Sequence, residues 1–135
     1  MSQYRAPSEK SKYYVPKETF LTVVHYCKQY PLWAEELSIN PDMSKAITYD
    51  KDRVQSSPSA DQVEKIAIRR AEIGRKKRQL EEAAQSVADD LWQWIVRGAC
   101  YDLPYHYLKR QGIPCGKDLY YQLRRKFYYE MSRRI

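Results

Sequence analysis

Tyr121, Gln122, Arg125 and Tyr129 carry the strongest chemical signal in this chain of 135 residues. At about 100° per residue they share one side of a helix read from about Lys117 to Arg134. Tyr120, Leu123, Phe127 and Met131, with Leu119 alongside, form the opposite, apolar side. Arginine can make paired hydrogen bonds to guanine and glutamine to adenine, and tyrosine can meet a phosphate or a thymine methyl. Such a strip suits a helix that reads duplex DNA from the major groove. Lys117 and Arg124 flank it, and Lys109, Arg110, Arg133 and Arg134 stand at its ends, placed for backbone phosphates. A solvated basic face without a ligand is the competing reading of the same residues.

A second basic cluster, Arg75-Lys76-Lys77-Arg78, is followed by Glu81 and Glu82, four residues on from Lys77 and Arg78. Pairs at that spacing stabilise a solvated helix surface, which favours structure over binding here. Catalytic chemistry has no comparable signature. His25 and His106 are the only histidines, and no cysteine or carboxylate joins either at metal-ligand spacing. Asp89 and Asp90 are adjacent, so on a helix they point about 100° apart and do not pair across a substrate. No Ser–His–Asp set, phosphate-binding loop or dinucleotide fingerprint is present. The expectation is a non-enzyme with no cofactor and no metal.

The elements that must position the basic strip are helical. Four glycines and 30% charged residues argue against a glycine-rich nucleotide-binding fold and against a turn-rich β-sandwich. Residues 1–15 lack periodicity and read as a flexible arm. Residues 16–39 read as an N-terminal helix that Pro16 opens and Pro31 kinks, with Phe20, Val23, Val24, Cys27 and Tyr30 on its apolar stripe. Residues 40–58 read as a linker. Residues 59–100 read as a long helix to about Gln85 followed by a short one. Ser59 and Gln62 form a capping box at its start, and Gly98 marks the stop of the short helix. Ile66, Ile73, Leu80 and Val87 recur every seven residues, but Arg70 and Lys77 interrupt the seam, which favours a helical hairpin over a parallel zipper. Residues 101–135 read as a helix–turn–helix: Tyr105 to Gln111, a turn in which Gly112 takes a left-handed conformation, and Lys117 to Arg134. The fold class expected is all-α, a helical hairpin or bundle with that C-terminal segment.

Charge divides unevenly along these segments. Of the net +7, residues 101–135 contribute +5, from eight basic and three acidic groups, together with seven of the thirteen tyrosines. The three cysteines, Cys27, Cys100 and Cys115, form no C-x-x-C pair and read as reduced, small apolar residues. With no apolar leader and no apolar run long enough to span a bilayer, a cytoplasmic protein of a bacterial host cell is expected, with no membrane partner.

Three stretches carry a family resemblance: Tyr14-Val15-Pro16-Lys17-Glu18-Thr19-Phe20-Leu21, Ala67-Ile68-Arg69-Arg70-Ala71-Glu72-Ile73, and Leu119-Tyr120-Tyr121-Gln122-Leu123-Arg124-Arg125-Lys126-Phe127-Tyr128-Tyr129. Together they resemble the RinA and ArpU late transcriptional activators, small regulators of Firmicute prophages and mobile elements. The resemblance implies a C-terminal helix–turn–helix like region 4 of sigma factors. It also implies that Tyr121, Gln122, Arg124 and Arg125 face DNA while Tyr120, Leu123 and Phe127 hold the domain together. The turn departs from the family pattern at Pro114-Cys115-Gly116, and the preceding helix is unusually aromatic at Tyr105, His106 and Tyr107.

Two functions follow as expectations. One is a DNA-binding transcriptional regulator of a phage or mobile element, with double-stranded DNA and RNA polymerase as partners and a homodimer formed through the helices at 17–37 and 60–85. The other is a phage-encoded, protein-binding inhibitor of a host nuclease or defence system. Nucleic-acid mimics are usually acidic, so an inhibitor of this basic composition needs another mode, such as tyrosine-rich protein contact.

Overall fold

A computed structural model describes residues 6–39 and 60–135. Among them every regular element is a helix: α1 (Lys17–Cys27), α2 (Tyr30–Ser38), α3 (Ala60–Val87), α4 (Trp92–Cys100), α5 (Tyr105–Arg110) and α6 (Lys117–Arg134). No helix among the described residues is long and apolar enough to cross a membrane. The 40–58 linker and the Ser59 cap lie outside the described residues.

Five of the six described helices contribute to the main core, α2 through Tyr30 and Trp33. Phe20, Val23, Val24 and Cys27 of α1 meet Leu80, Ala83 and Ala84 of α3, Ile95 and Ala99 of α4, and Phe127 and Met131 of α6. The amphipathic spacing of each helix supplies one buried face, and burying those faces together is the main favourable contribution. Of the stripes read as a dimer surface on residues 17–37 and 60–85, Phe20, Val23, Val24, Cys27, Ile73 and Leu80 are buried within one chain, while Leu32, Val63 and Ile68 are exposed.

Pro31 does not kink a single helix. The chain breaks at Lys28 and Gln29, and Pro31 lies in the first turn of α2, where its missing N–H costs nothing. This break lets α2 fold back along α3. Tyr30 at the start of α2 donates from its hydroxyl to Glu81 Oε2 at 2.7 Å. At the other end Arg69 pairs with Glu36 at 2.7 Å. Arg70 donates to the carbonyls of Glu36, Leu37 and Ile39, each at 3.1 Å. These carbonyls lie where α2 ends, the Glu36 one also accepting from the Ile39 N–H at 3.3 Å, and a guanidinium is suited to collect them. Arg70 and Lys77, which interrupt the apolar seam of α3, thus contact α2: Lys77 pairs with Glu81 at 2.9 Å and lies 5.5 Å from the centroid of the Tyr30 ring.

Two boundaries differ from the sequence reading. Helix α3 runs to Val87, and α4 passes through Gly98 to Cys100. Gly98 is not a stop: its missing side chain makes room for Tyr120, whose hydroxyl and ring would overlap a methyl at that position. The true stop of α4 is Asp102 at φ 54°, after which the Leu103 N–H returns to the Gly98 carbonyl at 3.0 Å. Residues 6–16 also differ from a free arm. Val15 is 3% exposed within the core, Ala6 packs against it, and the Tyr13 ring lies 5.8 Å from that of Tyr129.

Candidate nucleic-acid interface

Helix α5 has only six residues and makes no side-chain cap at its start, so its neighbours must hold it in place. Leu108, Ile113 and Tyr120 form a second buried cluster, flanked by Trp94, Leu103, Tyr105, Cys115 and Tyr121. Gly112 closes the helix at φ 99°. Its N–H bonds the Lys109 carbonyl and the Ile113 N–H bonds the Leu108 carbonyl, both at 3.1 Å. This is the Schellman arrangement, with Leu108 and Ile113 supplying its apolar contact. Tyr105 donates to the Cys115 carbonyl at 2.7 Å, which pins the connection that leads into α6. The short, turn-fixed α5 leaves His106, Tyr107, Lys109 and Arg110 exposed.

Helix α6 buries Tyr120, Phe127, Tyr128 and Met131. The buried arc is therefore turned toward Tyr128 relative to the sequence reading, and Leu119 is left 44% exposed. The cause is that α6 packs on α1, α3 and α4 together. The Tyr128 ring meets Phe20 of α1 edge-on at 5.3 Å.

This rotation sorts the ten residues read as a DNA-binding set. Lys109, Arg110, Lys117, Gln122, Arg125 and Arg133 are exposed. Arg124 is not on that surface: its side chain is 13% exposed and reaches Asp102 at 3.8 Å. It also donates to the hydroxyls of Tyr120 at 3.3 Å and Tyr128 at 3.4 Å. Tyr121 is half-buried against Tyr120, and its hydroxyl accepts from the Tyr105 N–H at 3.3 Å. Tyr129 is half-buried beside Tyr13, with the Arg133 guanidinium 5.8 Å from its ring centroid. Arg133 and Arg134 both pair with Glu130, at 3.8 and 2.8 Å. The sequence reading omitted Lys126, which lies half-exposed on the same side as Gln122. A helical wheel centred on Tyr128 rather than Phe127 would have included it.

The electrostatic outcome is specific. Glu130 and Asp102 engage Arg133, Arg134 and Arg124. Among the described residues, Lys109, Arg110, Lys117, Arg125 and Lys126 have no carboxylate within ion-pair distance. Asp118, in the first turn of α6, is the acidic group of this strip and sits where the helix dipole favours a negative charge. Comparison with protein-family models, with curated proteins and with solved structures finds no match for this chain.

Proposed function

We propose that this chain is a DNA-binding transcriptional regulator of a phage or mobile element, and that α5 and α6 act as its helix–turn–helix. The observation that carries the reading is the set of five basic residues on α5 and α6 that have no ion-pair partner among the described residues, beside an exposed Gln122. Cations with no internal partner are the groups that phosphates neutralise with release of counterions. In this reading Gln122 and Arg125 contact base edges, and Lys109, Arg110, Lys117 and Lys126 contact phosphates. Arg124, Tyr121 and Tyr129 support the helix from behind.

The test is binding to random-sequence duplex DNA at two salt concentrations, followed by selection of a preferred site. Four phosphate contacts give a slope of log affinity against log salt on the order of −4. Arg125→Ala is expected to weaken the selected site by roughly tenfold to a hundredfold while far-UV helicity stays unchanged. Equal affinity of Arg125→Ala and the parent chain would remove α6 as the reading helix. A stoichiometric protein partner that survives nuclease digestion, with no duplex affinity, would replace this function with inhibition of a host nuclease.

A further inference from the structure

A cleft of about 320 Å³ opens where α2, α3 and α4 meet. Tyr30, Trp92 and Tyr101 give it three aromatic sides, and Val96 adds an apolar surface. Tyr101 is 46% exposed, and its ring meets that of Tyr30 edge-on with centroids 6.4 Å apart. Three residues with polar side chains also line the cleft: Glu81, Gln93 and Arg97.

Size and charge together limit what fits. The volume is at the low end of the roughly 300–1,000 Å³ of small-molecule sites, so it takes one ring system and not a dinucleotide. Aromatic walls with a carboxylate would ordinarily attract a cation. Here Lys77 already pairs with Glu81 and lies over Tyr30, and Arg97 adds a second positive charge. A cationic guest is therefore disfavoured, and a flat ring carrying a negative group is favoured. Glu81 retains one acceptor: the Tyr30 hydroxyl and Lys77 both bond Oε2, and among the described residues Oε1 accepts no bond.

From this arrangement we infer that the cleft binds a single nucleobase together with its adjacent phosphate. The ring stacks against Trp92 and Tyr101, an exocyclic amino group donates to Glu81 Oε1, and the phosphate pairs with Arg97. Bases bearing an amino group are thereby preferred over uracil and thymine. Arg97 also lies over the Trp94 ring at 4.8 Å, and Trp94 packs against the cluster under α5, so the phosphate end of the site points toward α5. The site does not depend on duplex binding by α6.

The test follows the Trp92 indole N–H by NMR during titration with AMP, CMP, UMP, adenosine, ribose 5-phosphate and a short single-stranded oligonucleotide. AMP and CMP should shift this signal, with UMP weaker by about tenfold, the scale of one lost hydrogen bond to a charged acceptor. Tyr101→Ala, outside any helix, should weaken AMP by about tenfold through lost stacking. Arg97→Ala should weaken AMP and leave adenosine unchanged, and Glu81→Gln should narrow the difference between AMP and UMP. An oligonucleotide that binds at least about tenfold tighter than AMP assigns the site to an unpaired strand, and equal affinity assigns it to free nucleotides. An unmoved Trp92 signal, or ribose 5-phosphate binding as well as AMP, overturns the inference. Duplex affinity is read separately through Arg125→Ala, so failure here leaves the proposed regulator standing.

Discussion

Arg124 and Arg125 are neighbours on α6, separated by one helical step of about 100°. Arg125 is exposed, whereas Arg124 is held among Asp102, Tyr120 and Tyr128. Arg124→Ala should therefore cost about 2 kcal/mol of folding stability, through lost packing of its stem and lost hydrogen bonds to its charged head. Urea denaturation checks it, and Arg125→Ala should leave the same midpoint unmoved. Gly98 offers a second residue-scale test. Alanine is the better helix former, yet at this position its methyl would overlap Tyr120. Gly98→Ala should destabilise by about 1–3 kcal/mol, the usual cost of overpacking, read as a lower thermal midpoint. Adding Tyr120→Phe should recover part of the loss, because the hydroxyl makes the closest approach.

At the scale of elements, α2 is nine residues long and has no side-chain cap at its start. A helix this short depends on tertiary support. Arg70 supplies it by bonding three carbonyls at the α2 terminus. Arg70→Ala should cost about 1–2 kcal/mol and speed hydrogen exchange of the α2 amides. Arg70→Lys should rescue little, because an ammonium cannot span three acceptors as a planar guanidinium does. Unchanged exchange in α2 would show that the Tyr30 and Trp33 contacts hold the helix without Arg70. Helix α5 is shorter still. It is stopped by Gly112, and α4 before it is stopped by Asp102, both in the left-handed region. These two stops fix the approach of α5 to α6, and with it the spacing of Lys109 and Arg110 from Gln122 and Arg125.

For the whole molecule, the charge and the buried titratable groups point to different pH and salt behaviour. Burial raises the Tyr30 hydroxyl above its ordinary 10.0, and the hydrogen bond to Glu81 adds to the shift. Burial likewise raises Tyr128, with Arg124 opposing. Cys100 is raised well above 9.0 by burial and then by its contact with Cys27. Each group keeps its proton in the folded chain after the unfolded chain has lost it. The folded state then binds more protons, so stability is complete below the ordinary values and falls as pH rises past 9.0 and 10.0. Urea midpoints taken from about pH 8 to about pH 11 should decline, and Tyr30→Phe should make the decline shallower. A flat profile would mean that these groups ionise without unfolding. If the proposed duplex binding holds, salt acts mainly on it, through the C-terminal segment where five of the seven excess charges lie.

The sequence by itself determined the helical class and the left-handed turn at Gly112. Apolar periodicity and glycine stereochemistry are local properties, legible without any partner. It also located the excess charge in residues 101–135. Tertiary structure decided which charges remain free. Whether Arg124 faces solvent depends on Asp102 and Tyr128 and on the α1 surface beneath them, and no wheel drawn for α6 alone contains those groups. The same holds for Gly98, whose role is set by a tyrosine 22 positions away, and for Arg70, which interrupts a seam in one helix to cap another. Local patterns specify elements. The rotation of each element about its axis is set by the neighbours it packs against, and for α6 that rotation determines which residues can meet a ligand.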